Sequence, residues 1–266
     1  LRRMLELGLL EEEMGRARLS LLGSACGKSH LKLRSTMCLV ELLRRRADGG
    51  TLTAGDLLAL IHALPEFDEA YTPMCRKGQR ETVWQSHVAQ HYGRDIAGAL
   101  QWGAPDNMAY HARCKRVAIL HAWTDGMPIA EIESTFTANP FYSIGAGDIR
   151  GFADFARFHL AAAFEIADVL LLGRGPSAED VENLLAQLET GIPIGALGLL
   201  GLPVTPGRGT YLALHQAELS TPADVWAAGE KRLHELVGGA AATTIWAARP
   251  RPKSDAASQP IQPRED

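Results

Sequence analysis

The chain has 266 residues, of which 46% are hydrophobic and 22% charged, the usual proportions of a globular protein with a sizeable core. That length allows one large domain or two to three small ones. The net charge of −4 excludes a basic field over the whole protein, so any contact with nucleic acid must come from local patches.

Cysteine usage and hydropathy indicate the compartment. The four cysteines lie far apart and form no CxxC pair, which argues against a zinc site and favours a reducing environment. No run of 18 apolar residues and no signal peptide is present, so we expect a cytoplasmic protein (nucleoid-associated if bacterial) with no membrane partner. The chain opens at Leu1, without Met and inside a predicted helix, and we interpret it as part of a longer polypeptide.

The first thirty residues predict a short helix followed by a β-hairpin. Leu1–Leu7 has a helical pattern that Gly8 ends. Two short strands, Leu9–Glu13 and Ala17–Leu22, flank the turn at Met14-Gly15-Arg16. A helix followed by a hairpin is typical of the end of a winged-helix domain, which we assign to residues 1–30.

The next segment, Gly23 to Ser29, has some features of a phosphate-binding loop. That motif requires four residues between its glycines, and here there are three. No buried strand precedes it, so we interpret it as a plain loop between hairpin and helix. We therefore expect this chain to hydrolyse no ATP by itself.

Residues 31–175 predict a multi-helix bundle, because capped amphipathic segments follow one another without alternating strands. The predicted helices are Leu31–Ala47, a helix capped by Thr53 and running to Leu64, Glu81–Tyr92, Asn107–Trp123, Met127–Phe136 and Asp148–Leu172. Arg44, Arg45 and Arg46 close the first of them, where they suit either the helix dipole or a phosphate contact.

His87 and His91 stand four residues apart on the predicted helix Glu81–Tyr92, a spacing that can hold a metal ion. The intervening residues lack the glutamate of a zinc protease, and no third ligand is evident. We interpret both as surface histidines and predict no metal site.

Asp148–Leu172 is the longest predicted helix, with Asp148 as its N-cap. Its core face carries apolar residues at three- and four-residue steps: Ile149, Phe152, Ala156, Leu160, Ala163, Ala167 and Leu170. Phe158 lies about 160° from the centre of that face, with Arg150 on its side and Arg157 flanking it. Phe158 is then either a stacking platform for a nucleic-acid base or part of a helix that is buried all round.

The remainder predicts short helices separated by prolines. Ser177 caps a helix to Thr190, and Gly191 ends it. The stretch from Thr205 to Ala213 has the PGxGxxxA form of a helix-hairpin-helix, in which the backbone at Gly207, Arg208 and Gly209 would hold a phosphate. An ordinary Pro-Gly turn fits the same residues. We assign residues 176–238 to this domain and 239–266 to a disordered tail.

Two strings carry a family resemblance: LHAWTDGMPIAEIESTF followed by GAGDIRGFADFARFHLAAAFEIADVLL, and GIPIGALGLLGLPVTPGRGTYLALHQAELSTPADVW. Together they resemble the C-terminal half of Ski-two-like superfamily II helicases, most of all the branch that unwinds DNA forks. The resemblance implies a mainly α fold with a partial winged helix, a helical ratchet bundle and a small helix-hairpin-helix domain. It also implies single-stranded or forked DNA as a partner, with ATP and magnesium bound by motor domains of the same polypeptide.

The resemblance implies that Asp148–Leu172 is the ratchet helix, with Phe158 at the position of the base-stacking aromatic. Gly151 stands where family members often carry an arginine, and Arg150 is next to it. Gly207 and Gly209 stand two residues late relative to the family's hairpin. Two other functions fit the sequence: a helicase-like adaptor that binds protein partners, and the equivalent region of an RNA helicase.

Overall fold

The structure is a computed structural model that describes residues 1–47, 50–74, 79–138 and 140–250. Helix accounts for 70% and strand for 3% of it, which confirms the mainly α prediction. The chain forms two compact units: the first is Leu1–Leu197, and the second begins at Gly198.

The N-terminal hairpin forms as predicted. After α1 (Arg2–Glu6), strands β1 (Leu10–Glu13) and β2 (Arg16–Leu19) pair antiparallel, with Leu10 opposite Leu19. Met14 and Gly15 both have positive φ (52° and 73°), which is the conformation of a type I′ turn and matches the twist of a hairpin. The second strand ends at Leu19 rather than at Leu22.

The segment interpreted as a loop is instead a helix, α2 (Leu21–Lys28). Ser20 caps it, because its hydroxyl accepts a hydrogen bond from the Gly23 N–H at 2.9 Å. A Cβ added at Gly23 would overlap the carbonyl oxygen of Leu9, whereas one at Gly27 would meet nothing within 4 Å. Gly23 therefore allows α2 to pack against the chain just before β1, and the segment has no loop that could surround a phosphate.

The rest of the first unit is a helical bundle. Its α-helices are α3 (Leu33–Ala47), α4 (Ala54–Ile61), α5 (Pro65–Glu69), α6 (Val83–Tyr92), α7 (Arg94–Gln101), α8 (Asn107–Thr124), α9 (Ile129–Phe136), α10 (Ala146–Leu171) and α11 (Ala178–Thr190). The predicted cap at Thr53 is present, and it forms a reciprocal pair of hydrogen bonds with Asp56. Helix α4 ends at Ile61, three residues before the predicted Leu64, and Pro65 begins α5 instead of ending α4. A proline is tolerated there because the first helical position has no hydrogen bond to lose.

Helix α10 lies at the centre of this bundle and packs against α2, α3, α4, α8 and α11. Its predicted core face is buried from Ile149 to Ala167, with Leu160 fully inaccessible. Asp148 is not its N-cap: the helix begins at Ala146, and the Asp148 carboxylate accepts the N–H of Gly145 at 2.9 Å. The predicted start was late because two glycines precede Asp148, and glycine is a poor helix former.

Helix α8 is also largely buried, and its cationic side chains lie in the core. Arg113 donates from Nε and Nη2 to the two carboxylate oxygens of Asp68 at 2.8 and 2.6 Å. Lys115 donates to the carbonyl of Pro73 at 2.7 Å and lies 3.2 Å from Glu81. Such buried charges require partners, because removing them from water is costly.

Helix α11 packs against α10 and belongs to the first unit, so the packing boundary lies at residue 197 rather than at the predicted 175. The second unit contains four α-helices in the part of the chain described: α12 (Arg208–Gln216), α13 (Pro222–Ala228), α14 (Glu230–Val237) and α15 (Gly239–Ala247). Helix α15 contradicts the start of the disordered tail at residue 239, because its buried Ala242 and Ile245 give it an apolar face. Residues 251–266 lie outside the described residues.

Among the described helices, none is long and apolar enough by itself to cross a membrane. Ala178–Thr190 and the 3-10 helix Ile194–Gly201 reach that length and composition only as a bent pair.

Candidate nucleic-acid interface

Phe158 lies on the solvent side of α10, and 53% of its surface is exposed. The alternative in which α10 is buried all round is therefore wrong. At about 100° per residue, Gly147, Gly151 and Asp154 lie within roughly 40° of Phe158 on the helix surface, and Phe155 lies about 60° away. The face around Phe158 thus combines an open ring with two positions that have no side chain.

The Phe158 ring borders a cavity of about 440 Å³. The other residues that line this cavity are His30, Lys32, Glu66, Glu69, Ala70, Phe155 and His159. The His159 ring stands nearly perpendicular to that of Phe158, with 5.2 Å between the centroids. Lys32 is the one lysine in this lining, and its ammonium lies 3.3 Å from the Glu69 carboxylate. The surroundings of Phe158 are therefore aromatic, with two carboxylates, Glu66 and Glu69, against one ammonium.

The two arginines predicted beside Phe158 differ in their partners. Arg157 lies 2.8 Å from Glu189 and 3.6 Å from Asp154, so two carboxylates already offset its charge. Arg150 is exposed and makes no salt bridge within the described part of the chain. Of the two, Arg150 is the better placed to add a phosphate contact.

Two further cavities adjoin this one; the nearer lies along α10 towards its N-terminus, and the farther has no α10 residue in its lining. The nearer, about 300 Å³, is lined by Gly147, Gly151 and Phe155 and shares Phe155 and Ala70 with the first. The farther, about 830 Å³, shares Ala70 and Arg116 with the second. A Cβ at Gly147 or Gly151 would meet nothing within 4 Å, so a ligand could approach the α10 backbone there.

Arg116 lines both of these cavities, and no motif in the sequence singles it out. Its side chain is almost completely buried, and Nη1 donates to Thr72 Oγ1 at 2.5 Å. Its Nε and Nη2 have no hydrogen-bond partner among the residues that the structure describes. Burial lowers the pKa of the guanidinium to about 10, so it remains charged at neutral pH. Two unsatisfied donors on a buried cation favour an anionic or carbonyl ligand at this point.

The other three predicted residues lie in the second unit. Gly207 is the N-cap of α12, with φ −66°, and Arg208 and Gly209 are its first residues. Neither glycine has a positive φ, and a Cβ at either would meet nothing within 4 Å. The glycines are thus not required by the backbone conformation, and they leave the N-terminus of α12 open. The six predicted residues form two groups, one in each unit.

No protein-family model matches this chain, and a search of curated proteins finds no relative of it.

Proposed function

We propose that this chain is the single-strand DNA-handling region of an ATP-dependent helicase, with α10 as the helix that contacts the strand. The observation that carries this proposal is the exposed Phe158 ring on a helix whose other faces are packed into a bundle. A base that stacks on an exposed aromatic contributes about 1–3 kcal/mol without regard to its identity. That is the kind of contact a protein needs when it moves along a strand.

The cavities beside α10 support a path for the strand. From Phe158 to Gly147 the helix rises about 16 Å, and two cavities that share Phe155 and Ala70 follow it over this distance. The third cavity shares Ala70 and Arg116 with the second but leaves α10. Along this path Phe158 would stack a base, the bare backbone at Gly151 would admit the sugar-phosphate chain, and Arg116 would donate to a phosphate or a base carbonyl. Because few cations are free at this surface, stacking rather than charge would supply most of the affinity.

We extend the proposal to the individual domains. The α1–hairpin segment would be the end of a winged-helix domain, the bundle around α10 a ratchet domain, and the start of α12 the phosphate-holding part of a helix-hairpin-helix. ATP and magnesium would be bound by motor domains of the same polypeptide, and no described residue is proposed to bind them.

Oligonucleotide binding tests the proposal directly. We expect labelled oligo-dT to bind the chain, and Phe158→Ala to weaken binding about 5- to 150-fold, the equivalent of one stacked base. Phe158→Trp should retain the affinity, because a larger ring still stacks. Phe141→Ala is the matched control, since Phe141 is also an aromatic of the first unit and is 89% exposed.

The unfolding midpoint of each variant separates a lost contact from a lost fold. Phe158→Ala should unfold close to the wild-type midpoint, because its ring is half exposed and leaves little cavity. Absence of oligonucleotide binding by the wild-type chain would contradict the proposal and favour the adaptor. Equal losses in Phe158→Ala and Phe141→Ala would remove Phe158 from the site, and a marked preference for oligo-U over oligo-dT would favour the RNA helicase.

A further inference from the structure

Three histidines from two helices meet on one side of the first unit. Helix α6 presents His87 and His91 one turn apart, with ring centroids 4.3 Å from each other. Helix α8 places His121 against both, at centroid distances of 5.4 and 4.5 Å. One ring nitrogen of each lies within 4.8 Å of those of the other two. The third ligand that the sequence did not reveal is thus supplied by packing.

The ring nitrogens of these histidines are not all engaged in hydrogen bonds with other described residues. His87 Nε2 is buried and has no hydrogen-bond partner within the described part of the chain. His121 has a possible outer partner on each ring nitrogen: the Tyr92 hydroxyl is 3.4 Å from Nδ1, and an Asp125 carboxylate oxygen is 3.8 Å from Nε2. In metal sites a coordinating histidine usually has such a hydroxyl or carboxylate at its second nitrogen, which fixes the ring.

The protonation state also suits a metal. Burial, and then the proximity of His91 and His121, lower the pKa of His87 to about 4. Burial likewise lowers the pKa of His121. Neutral imidazoles keep their lone pairs, so these residues need not lose a proton at pH 7 before they coordinate a cation.

We propose that His87, His91 and His121 bind one divalent transition-metal ion of the zinc class and so join α6 to α8. Three imidazoles select zinc, nickel, cobalt or copper over magnesium and calcium, which prefer oxygen ligands. In a tetrahedral site with Zn–N bonds of about 2.0 Å, ligand nitrogens lie about 3.3 Å apart. The three nitrogens, now within 4.8 Å of one another, would close to that spacing by rotation of the rings, and water would take the fourth position.

Metal titration of the tag-free, chelator-treated full chain tests this proposal. We expect one Zn²⁺ to bind per chain, and one Co²⁺ to give the intense visible absorption of a four-coordinate ion, whereas Mg²⁺ should give neither signal. Because the metal binds only when both helices are in place, Zn²⁺ at about a hundred times its dissociation constant should raise the unfolding midpoint by roughly 5–10 °C.

Single substitutions identify the ligands. His87→Ala, His91→Ala and His121→Ala should each weaken Zn²⁺ binding at least about 100-fold, the upper range for loss of an outer-shell partner. His111→Ala, on α8 but outside the group, and His234→Ala, in the second unit, are the controls and should bind as wild type. If an alanine variant unfolds in the absence of metal, the glutamine variant at the same position replaces it.

The substitution at His121 decides the result. Unchanged Zn²⁺ affinity in His121→Ala would overturn the proposal, because His87 and His91 would then chelate as an ordinary pair on one helix. Several weak zinc ions per chain, insensitive to all three substitutions, would also overturn it. Oligonucleotide binding is not a readout here, so this proposal and the proposed function succeed or fail separately.

Discussion

Arg157 Nη2 lies 2.8 Å from Glu189 Oε2, so the arginine that flanks Phe158 on α10 is joined to the end of α11. Arg157 is about one-third exposed and Glu189 about two-thirds exposed, so the pair contributes less than about 1 kcal/mol to stability. Its larger effect is electrostatic: Glu189 lowers the positive potential beside the proposed stacking ring.

Glu189→Gln should therefore strengthen oligo-dT binding a few-fold at low salt, because only the more distant Asp154, at 3.6 Å, would still offset the charge of Arg157. The plot of log affinity against log salt concentration should steepen by up to about 0.7 for one added phosphate contact on a single strand. Glu131→Gln changes the charge equally at an exposed site on α9 and should have no such effect. Arg150→Glu should do the reverse, weakening binding and flattening the plot. Equal slopes in all variants would show that no phosphate lies near this face.

Gly23→Ala should destabilise the protein, since its methyl group would overlap the Leu9 carbonyl and lie 3.1 Å from Leu19 Cδ2. Relief of that overlap requires a shift of α2, at about 1–3 kcal/mol. Gly27→Ala is the matched control in the same helix, with open space around it, and should be neutral or stabilising by up to about 1 kcal/mol. Urea denaturation measures both. A stable Gly23→Ala would contradict the packing of α2 against Leu9.

Asp68→Asn should cost about 3–5 kcal/mol of unfolding free energy, because it leaves the buried Arg113 guanidinium without its counter-charge. Glu235→Gln removes an equivalent charge from the exposed pair with Arg232 and should change stability by less than about 1 kcal/mol. Chemical denaturation of the two variants beside the wild type gives both values. A loss of similar size in the two variants would show that burial does not increase the contribution of the Arg113–Asp68 pair to stability.

Stability should fall on acidification below about pH 6.5. Burial, with Arg116 nearby, lowers the pKa of His62 from 6.5 to about 3. Between those values the unfolded chain binds the proton and the folded protein does not, so the unfolding free energy is greatest above pH 6.5 and decreases as pH falls towards 3. Denaturation at pH 7, 6 and 5 measures the slope. His62→Leu should give a shallower slope, and an unchanged slope would assign the effect to other groups.

The sequence predicted those features that depend on neighbours along the chain. The cap at Thr53, the helix from Ser177 to Gly191 and the core face of α10 all appear as expected, because each is set within a few residues. The prediction of a plain loop from Gly23 to Ser29 was wrong, since most of this segment lies in α2. A glycine-rich string resembles a loop, but Gly23 stands in a helix that approaches Leu9 closely, and that contact is contained in no local pattern.

The candidate site was likewise predictable only where it depends on neighbours along the chain. Phe158 followed from helical periodicity alone, and its exposure agrees. The sequence alone could not identify Arg116 or His121 as site residues. Arg116 is distinguished by its hydrogen bond to Thr72 and by the cavities that it lines, and His121 by its contact with two histidines on another helix. Of the two carboxylates that offset Arg157, Glu189 could not be identified from the sequence because it is 32 residues away, whereas Asp154 lies three residues before Arg157 on α10.

The packing of α10 against five other helices has a consequence for hydrogen exchange. Amide protons in the middle of α10 can exchange only when those neighbours separate as well, so their protection should report the global unfolding of the first unit. The β1–β2 hairpin is the opposite case, since its strand residues are almost all exposed and its register depends on few buried contacts.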